Sequence, residues 1–319
     1  MPVSAAMLAT VAKTPRIHLP TASARIGILT LERARIAVEG GTVVAHTGDV
    51  VLALPTHTLT ALFLGPGTTL THRAAADLAD AGVTVVWTGS GAVRAYSTVT
   101  PLAVRAQLLH RQVSAWADRQ QRLTVARRLY ALRFPDDAAA QLLTMEELRS
   151  AEGRRVRDRY RDAAAEHGLT WVRRDTDWDR SDDLNRAITT AYQALYGAAL
   201  AAIQALGLHP GLGFIHTGNA HAFSYDIADL HKTELGLDTA VAAYLNTAPG
   251  GVERATRRAM NHAMAQNHTV AAMIGALHRL FAGEDADVFN LTVDDLELFD
   301  LRGNVPANTN YADTVDVPF

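Results

Sequence analysis

The chain has 319 residues, which is enough for one large domain or two modest ones. Hydrophobic residues make up 48% of it, which excludes a wholly disordered chain, and the absence of cysteine excludes disulfides, thiolate metal sites and a cysteine nucleophile. The net charge is −3, but residues 101–180 hold 16 arginines and no lysine, whereas residues 283–319 hold one arginine and nine acidic residues. The acidic tail therefore offsets the positive charge of an arginine-rich body in the net total. Arginine binds phosphate well.

Residues 13–96 show the pattern of short strands. Alternating and β-branched runs predict strands, and the dipeptides between them, Gly40-Gly41, Gly48-Asp49 and Pro66-Gly67, predict turns. The pattern favours a β-rich domain built from hairpins rather than from repeated βαβ units. We expect a helix at residues 71–81 and strands at residues 25–31, 35–38, 42–45, 49–54, 58–64, 83–87 and 93–96.

From Pro101 onward, apolar residues recur at spacings of three and four, which predicts helices. We expect them at residues 102–132, 145–167, 182–206 and 238–244. No stretch approaches the roughly 18 apolar residues of a membrane span, and no targeting segment is evident, so we expect a cytoplasmic protein that does not use a membrane. The predicted fold class is α+β, with a small N-terminal β-rich domain (1–98), a larger all-α domain (99–282) and an acidic tail, flexible or bound to a partner (283–319).

The stretch GFIHTGNAHAFSYDIADLHK, residues 213–232, concentrates side chains that can bind metal. Asp226, Asp229 and Lys232 are three residues apart, which places them on one face of a helix, and His216 precedes a Thr-Gly turn. Carboxylates with one imidazole and no sulfur suit Mg²⁺ or Mn²⁺. A structural explanation is also open, because such histidines often pack in cores and such aspartates often cap helices. The competing ligands in this stretch are His221 and His231.

Glu152 lies in a predicted helix that is rich in arginine. A carboxylate among arginines is usually an ion-pair partner, and charge alone favours that explanation. One carboxylate does not need five guanidiniums, however, so the excess suggests a polyanion nearby. The arginines fall on several faces of the helix: Arg154, Arg155, Arg157, Arg159 and Arg161.

Five stretches, in this order, carry a resemblance to a known family: LGPGTTLTH (64–72), VWTGSGAVRAY (86–96), SAEGRRVRDRY (150–160), LNRAITTAYQALYGAALAAI (184–203) and GFIHTGNAHAFSYDIADLHK (213–232). The chain resembles the integrase of the CRISPR adaptation machinery, the near-universal first Cas protein, and specifically its subtype I-E branch. The family's layout, a β domain followed by a helical domain, agrees with the elements predicted above. The acidic tail departs from the proline-rich or variable tails of the family.

The resemblance implies roles for individual residues. It implies a catalytic site with three ligands for Mg²⁺ or Mn²⁺: Glu152, His216 and Asp229. It places four further residues near the active centre: Asp226, Lys232, Tyr196 and Tyr225. It implies contacts with DNA through arginines in both domains: Arg94, Arg154, Arg155, Arg157, Arg254 and Arg257.

The resemblance also implies an activity. Family members join the 3′-hydroxyl ends of short DNA fragments, the prespacers, to the CRISPR repeat, and they act as homodimers bridged by a second, small CRISPR-associated protein. Exchange of one phosphodiester for another needs no ATP motif, and the sequence contains none. Three alternatives stay open: a metal-dependent nuclease of branched or single-stranded DNA, a non-catalytic DNA-binding scaffold, and an enzyme acting on a small phosphate ester.

Overall fold

The computed structural model describes residues 28–89, 95–99, 106–135, 144–171, 173–281, 297–298 and 305–306. Within these ranges, strands dominate the first part of the chain and helices the second, which confirms the predicted α+β class. The predicted tail, residues 283–319, lies outside the described residues except for a short antiparallel pair, Glu297–Leu298 with Val305–Pro306. The boundaries of the domains stay predictions.

The N-terminal part forms two four-stranded sheets. One sheet has the strand order β1-β5-β7-β8, and the other has the order β4-β3-β2-β6. Helix α1 packs against both sheets, with Leu78 fully buried among their apolar residues. The elements are β1 (Ile28–Leu31), β2 (Arg35–Glu39), β3 (Thr42–Thr47), β4 (Val50–Ala53), β5 (Ala61–Leu64), β6 (Thr69–Leu70), α1 (His72–Asp80), β7 (Thr84–Thr88) and β8 (Ala95–Val99).

The prediction of a domain built only from hairpins is wrong for the first sheet. Strands β1, β5 and β7 run parallel, and α1 lies in the crossover from β5 to β7. Strand β5 is buried at all four residues, and continuous apolar strands of this kind occupy the centres of parallel sheets. Strands β2, β3 and β4 pair antiparallel, as hairpins do, and so do β7 and β8.

The described chain after residue 105 is helical as far as Phe281. The single helix predicted at residues 102–132 is wrong, because the chain breaks at Asp118. The extended backbone of Asp118 lets its carboxylate accept the backbone N–H of Gln121 at 2.7 Å and cap the next helix. The elements are α2 (Gln107–Ala117), α3 (Arg119–Arg133), α4 (Met145–Ala165), α5 (Asp183–Ala205), α6 (Ala222–His231), a π-helical turn (Lys232–Gly236), α7 (Leu237–Leu245), α8 (Val252–Gln266) and α9 (Thr269–Phe281).

Helix α5 is the centre of the helical part. It is buried along most of its length, and α6, α7, α8 and α9 pack around it. Its Ala201 also packs against the first sheet, in a cluster with Ala61, Phe63 and Val86, so α5 joins the two parts of the molecule. Among the described residues, we find no helix that combines the length and apolarity needed to cross a bilayer.

Candidate active site

His216 lies in the loop between α5 and α6, and the side chain of Asp226 holds both the loop and the imidazole in place. The Asp226 carboxylate is buried and accepts the backbone N–H groups of Phe214, Ile215 and His216 at 2.6, 3.1 and 2.9 Å. Its Oδ1 also lies 2.8 Å from His216 Nδ1. This hydrogen bond raises the pKa of His216, burial opposes the rise, and the charge of Asp229 adds to it. With its proton on Nδ1, the imidazole can offer Nε2 to a ligand, as metal-binding histidines do.

Gly213 allows this loop to fold back tightly. A Cβ atom at this position would collide with the carbonyl oxygen of His216 and lie 2.9 Å from Cβ of Ala222. The carbonyl oxygen of Gly213 accepts hydrogen bonds from Trp116 Nε1 at 3.1 Å and from Arg122 Nη2 at 2.8 Å. Helices α2 and α3 therefore hold the loop from outside, and the absence of a side chain at Gly213 lets α6 approach it.

Glu152 and Asp229 meet across one buried arginine. Arg133, the last residue of α3, contacts Glu152 Oε1 through Nη1, and the same nitrogen lies 3.4 Å from Asp229 Oδ2. Tyr130, one turn earlier on α3, donates its hydroxyl to Glu152 Oε2 at 2.8 Å. Burial, followed by the charge of Glu152, raises the pKa of Tyr130, so its hydroxyl remains a donor. Three helices, α3, α4 and α6, thus bring the two carboxylates together.

Lys232 is a second cation at Asp229. Its Nζ contacts Asp229 Oδ1 and lies 4.7 Å from the ring centroid of Tyr196. Burial is the largest single influence and opposes the charge of Lys232, but Asp229 and Tyr196 together outweigh it, so the pKa of Lys232 is raised. Tyr196 packs edge-on against Tyr225 at 4.8 Å, and the Tyr225 ring lies 5.8 Å from that of His216. The structure therefore brings the residues predicted around the active centre into one connected cluster.

The donor groups of this cluster suit a hard divalent cation. Two carboxylates and an imidazole are the groups that bind Mg²⁺ or Mn²⁺. In the part of the chain that the structure describes, no three His, Asp or Glu side chains stand together as metal ligands. The guanidinium of Arg133 contacts both Glu152 and Asp229 instead. Of the competing ligands, His221 is exposed before α6, and burial lowers the pKa of His231.

A cavity of about 600 Å³ opens beside Glu152, and we call it the arginine cavity. Tyr160 and Trp171 stack in its wall, with parallel rings and centroids 4.8 Å apart. Aromatic side chains on which bases can stack, together with positively charged groups, are typical of surfaces that bind single-stranded nucleic acid. Five arginines line the cavity: Arg149, Arg157, Arg161, Arg173 and Arg174.

The arginines predicted to contact DNA occupy different places. Arg157 lines the arginine cavity, and Arg154 is exposed on the same helix. Arg155 is half-buried, and its guanidinium lies 4.7 Å from the ring centroid of Phe134. The rest lie elsewhere: Arg254 and Arg257 on α8, away from the lining of that cavity, and Arg94 outside the described residues.

Sequence reasoning missed three residues of the cluster: Arg133, Tyr130 and Tyr192. Tyr192 lies on α5, where its ring centroid is 5.4 Å from Nζ of Lys232 and its hydroxyl is 2.6 Å from that of Tyr160. Tyr130 and Arg133 are three residues apart, so they share one face of α3. A polar pair on the buried face of a helix requires a polar partner, and this signal could have indicated a carboxylate opposite α3.

Comparisons with known proteins agree on one family. The family model described as CRISPR associated protein Cas1 matches residues 28–136 and 135–249. The CRISPR-associated endonuclease Cas1 of Clostridium sp. strain SY8519 is 35% identical over 300 residues, covering 92% of this chain and 98% of that protein. The CRISPR-associated endonuclease Cas1 of Escherichia coli K12 is 33% identical over 265 residues, covering 81% and 85%. A TtCas1–DNA complex superposes with a TM-score of 0.71 at 38% identity, covering 83% of this chain and all of that one.

Proposed function

The chain belongs to the Cas1 family, and on that premise we propose that it is an integrase of CRISPR adaptation with an associated endonuclease activity. The proposed reaction joins the 3′-hydroxyl ends of prespacer DNA to the CRISPR repeat. The observation that carries the proposal is the meeting of Glu152 from α4 with Asp229 from α6, in the cluster that holds His216. We further propose that the chain belongs to the subtype I-E branch, which the likeness to the Escherichia coli protein supports.

We propose that Glu152, Asp229 and Nε2 of His216 hold Mg²⁺ or Mn²⁺. When bound, the ion supplies Lewis-acid polarisation of a phosphodiester and a template for the attacking hydroxyl. Asp226 orients His216 through Nδ1, so its role is positioning rather than ligation, since its oxygens already accept four hydrogen bonds. Lys232 compensates the charge of Asp229.

The residues around the proposed metal site have groups that fit DNA. Tyr196 and Tyr225 form one wall of a second cavity, of about 460 Å³, which we propose receives a nucleotide next to the reacting phosphate. The arginine cavity begins at Glu152 and offers guanidiniums to phosphates and the Tyr160–Trp171 stack to bases. Such contacts hold a DNA backbone without reading its sequence, which suits an enzyme that must accept many spacers.

We propose three partners for the chain: DNA in the form of prespacer and repeat, a second copy of itself, and the second small CRISPR-associated adaptation protein. The solved TtCas1–DNA complex is a relative with DNA bound, which supports the first. The exposed apolar strand β4 supports pairing with a second copy of the chain. Because the substrate is chromosomal repeat DNA, we expect the reaction to take place in the cytoplasm.

The test is an integration assay that separates joining from cutting. Labelled prespacer DNA, a supercoiled plasmid bearing the repeat, the partner protein and Mn²⁺ are incubated with the full chain. We expect labelled plasmid with wild type, and a loss of at least about 1,000-fold with His216→Ala, because loss of a ligand of the proposed ion removes stabilisation of the transition state. A loss of about 1,000-fold corresponds to a barrier higher by about 4 kcal/mol. The matched control is His167→Ala, an exposed histidine at the end of α4; it should integrate normally, and both variants should keep the wild-type circular dichroism spectrum.

Two other functions predict different products. The naming of relatives as endonucleases favours a nuclease, which would release labelled fragments and join none. The ion pairs that Arg133 and Lys232 make with Glu152 and Asp229 are also what a non-catalytic scaffold would contain. A scaffold would bind the DNA and leave both it and the plasmid unchanged. Integration that survives His216→Ala would contradict the proposed site.

A further inference from the structure

Arg133 occupies an unusual position for an arginine. Its side chain is 6% exposed, and it contacts both carboxylates of the proposed metal site through one nitrogen, Nη1. Glu152 reaches it from α4 and Asp229 from α6. Two carboxylates that share one nitrogen are close enough to share a metal ion instead. Arg133 and a divalent cation would thus use the same oxygens.

The charges around the two carboxylates also indicate that Arg133 and a divalent ion cannot occupy the site together. Glu152 and Asp229 carry two negative charges, and Arg133 and Lys232 carry two positive ones, so the charges of these four side chains cancel without metal. A guanidinium does not lose its proton in proteins, so Arg133 cannot yield its place by becoming neutral. A divalent ion added beside it would make the site strongly positive at short range. Entry of the ion therefore requires the guanidinium to move away.

Not all the hydrogen-bond donors of the Arg133 guanidinium are satisfied. In the described part of the chain, its buried Nε has no hydrogen-bond partner. A buried N–H without a partner costs free energy, so this contact is weaker than a fully satisfied bidentate pair. Arg133 is the last residue of α3, and its Cζ already lies 5.2 Å from the ring centroid of Phe134. A small rotation of the side chain at a helix end can release both carboxylates.

Building on the proposed metal site, we infer that Arg133 is a positioning residue that holds Glu152 and Asp229 together and competes with the divalent ion for both. The metal affinity of the chain is then set partly by the contacts that Arg133 must give up. Binding of the ion alone reflects this competition, so it can be measured without DNA and without catalysis.

The test is direct binding of Mn²⁺ to the full chain, after treatment with EDTA and its removal, measured by the loss of the free-ion signal in electron paramagnetic resonance. We expect Arg133→Met to bind Mn²⁺ about tenfold more tightly or more, because hydrogen bonds to charged groups of this strength no longer have to be broken. Arg133→Lys retains a cation but loses the planar fork, and it should tighten binding less. The control Arg73→Met removes the ion pair between the exposed Arg73 and the buried Asp77 on α1, and it should bind Mn²⁺ as wild type does.

Thermal unfolding gives a second readout. Without metal, Arg133→Met leaves two neighbouring carboxylates with one cation fewer, so it should melt below wild type and gain more from added Mn²⁺. If Arg133→Met does not fold, Arg133→Lys tests the competition instead, and we expect it to bind Mn²⁺ more tightly than wild type. Binding that is unchanged or weaker in the Arg133 variants, while Glu152→Gln abolishes it, overturns this inference and leaves the proposed metal site intact. Absence of Mn²⁺ binding in wild type and all variants overturns both.

Discussion

Asp226 shows how one side chain can organise the candidate site through its hydrogen bonds. Its two oxygens accept three backbone N–H groups and face Nδ1 of His216, so it fixes both the loop and the imidazole. Asp229, three residues later on α6, does a different job, since it contacts Arg133 and Lys232. The two aspartates are three residues apart on one helix, but their roles differ. Asp226 has a structural role, and Asp229 belongs to the proposed metal site.

Asp226→Asn tests the structural role. The amide retains the shape of the carboxylate, but it loses the charge and presents a donor where an acceptor is needed. We expect the free energy of unfolding to fall by about 2–4 kcal/mol, because the lost hydrogen bonds are buried and charge-assisted. Urea unfolding measures it, and the control is Asp158→Asn, which removes an exposed ion pair with Arg161 on α4. Equal effects of the two variants would contradict the role given to Asp226.

The same variant should change the pH dependence of stability. The pKa of His216 is raised in the folded chain, mainly by its hydrogen bond to Asp226. A raised histidine pKa contributes stability that is fully present below the unfolded value of about 6.5 and is lost as pH rises through the folded pKa. Relative to Asp226→Asn, the wild type should therefore lose stability as pH rises above about 6.5. Unfolding at pH 6 and pH 8.5 measures this, and parallel losses in the two proteins would contradict it.

At the scale of elements, helix α4 carries arginines with different surroundings on its different faces. Arg157 is exposed and lines the arginine cavity. Arg159, two residues later, points to another face and pairs with Asp238 on α7. The sequence placed both in one arginine run, and the fold divides them into one residue that is accessible to DNA and one that joins two helices.

This division predicts different salt dependences. Each phosphate contact contributes a slope of about −0.9 on duplex DNA, or −0.7 on a single strand, to a plot of log affinity against log salt concentration. We expect Arg157→Gln to reduce the slope by about one such unit and to weaken binding equally for different DNA sequences. Arg159→Gln is the matched control on the same helix and should leave the slope unchanged. Fluorescence anisotropy with labelled DNA at several salt concentrations measures both, and equal slopes in all three proteins would remove Arg157 from the DNA path.

Much of the element pattern was predictable, and its exceptions have local causes. The periodicity of α4 and α5 predicted both helices closely, because an amphipathic or buried helix repeats its apolar residues regularly. The break at Asp118 has no such signal, since one capping side chain decides it. The parallel pairing of β1, β5 and β7 depends on partners distant in sequence, which runs of β-branched residues do not identify.

The family resemblance named the acidic residues of the candidate site and one of its cations, Lys232, but not the other, Arg133. The family resemblance pointed to Glu152, His216 and Asp229, and the structure brings the two carboxylates together. Neither the resemblance nor the spacing indicated Arg133, because it lies in a third helix and meets them only through tertiary packing. The roles of all these residues stay predictions until they are measured.

At the scale of the whole molecule, the two parts contribute different surfaces to one protein. Helix α5 packs against the first sheet through Ala201, and the cavity beside Tyr196 and Tyr225 is also lined by Tyr96 of β8. The second sheet shares an apolar core with α1 and the first sheet, and β4 is its edge strand. All four residues of β4 are exposed, including Val50, Val51 and Leu52.

An exposed apolar strand at the edge of a sheet is a ready surface for pairing with another strand. The second sheet has the order β4-β3-β2-β6, so the outer edge of β4 is open among the described residues. Pairing of β4 with its copy would join two such sheets across a twofold axis and cover the valines. The proposed homodimer therefore has a specific candidate interface.

Val51→Lys tests that interface, because a charge on an edge strand opposes pairing with another edge. We expect the dissociation constant of the dimer to rise at least about tenfold, which corresponds to about 1.4 kcal/mol, with the fold intact. Light scattering after size-exclusion chromatography over a range of protein concentrations measures it. The control is Val113→Lys, which places the same charge at another exposed valine, on α2, and should leave the dimer unchanged. A dimer that tolerates Val51→Lys must use another surface, and a wild type that is monomeric at every concentration would remove the homodimer itself.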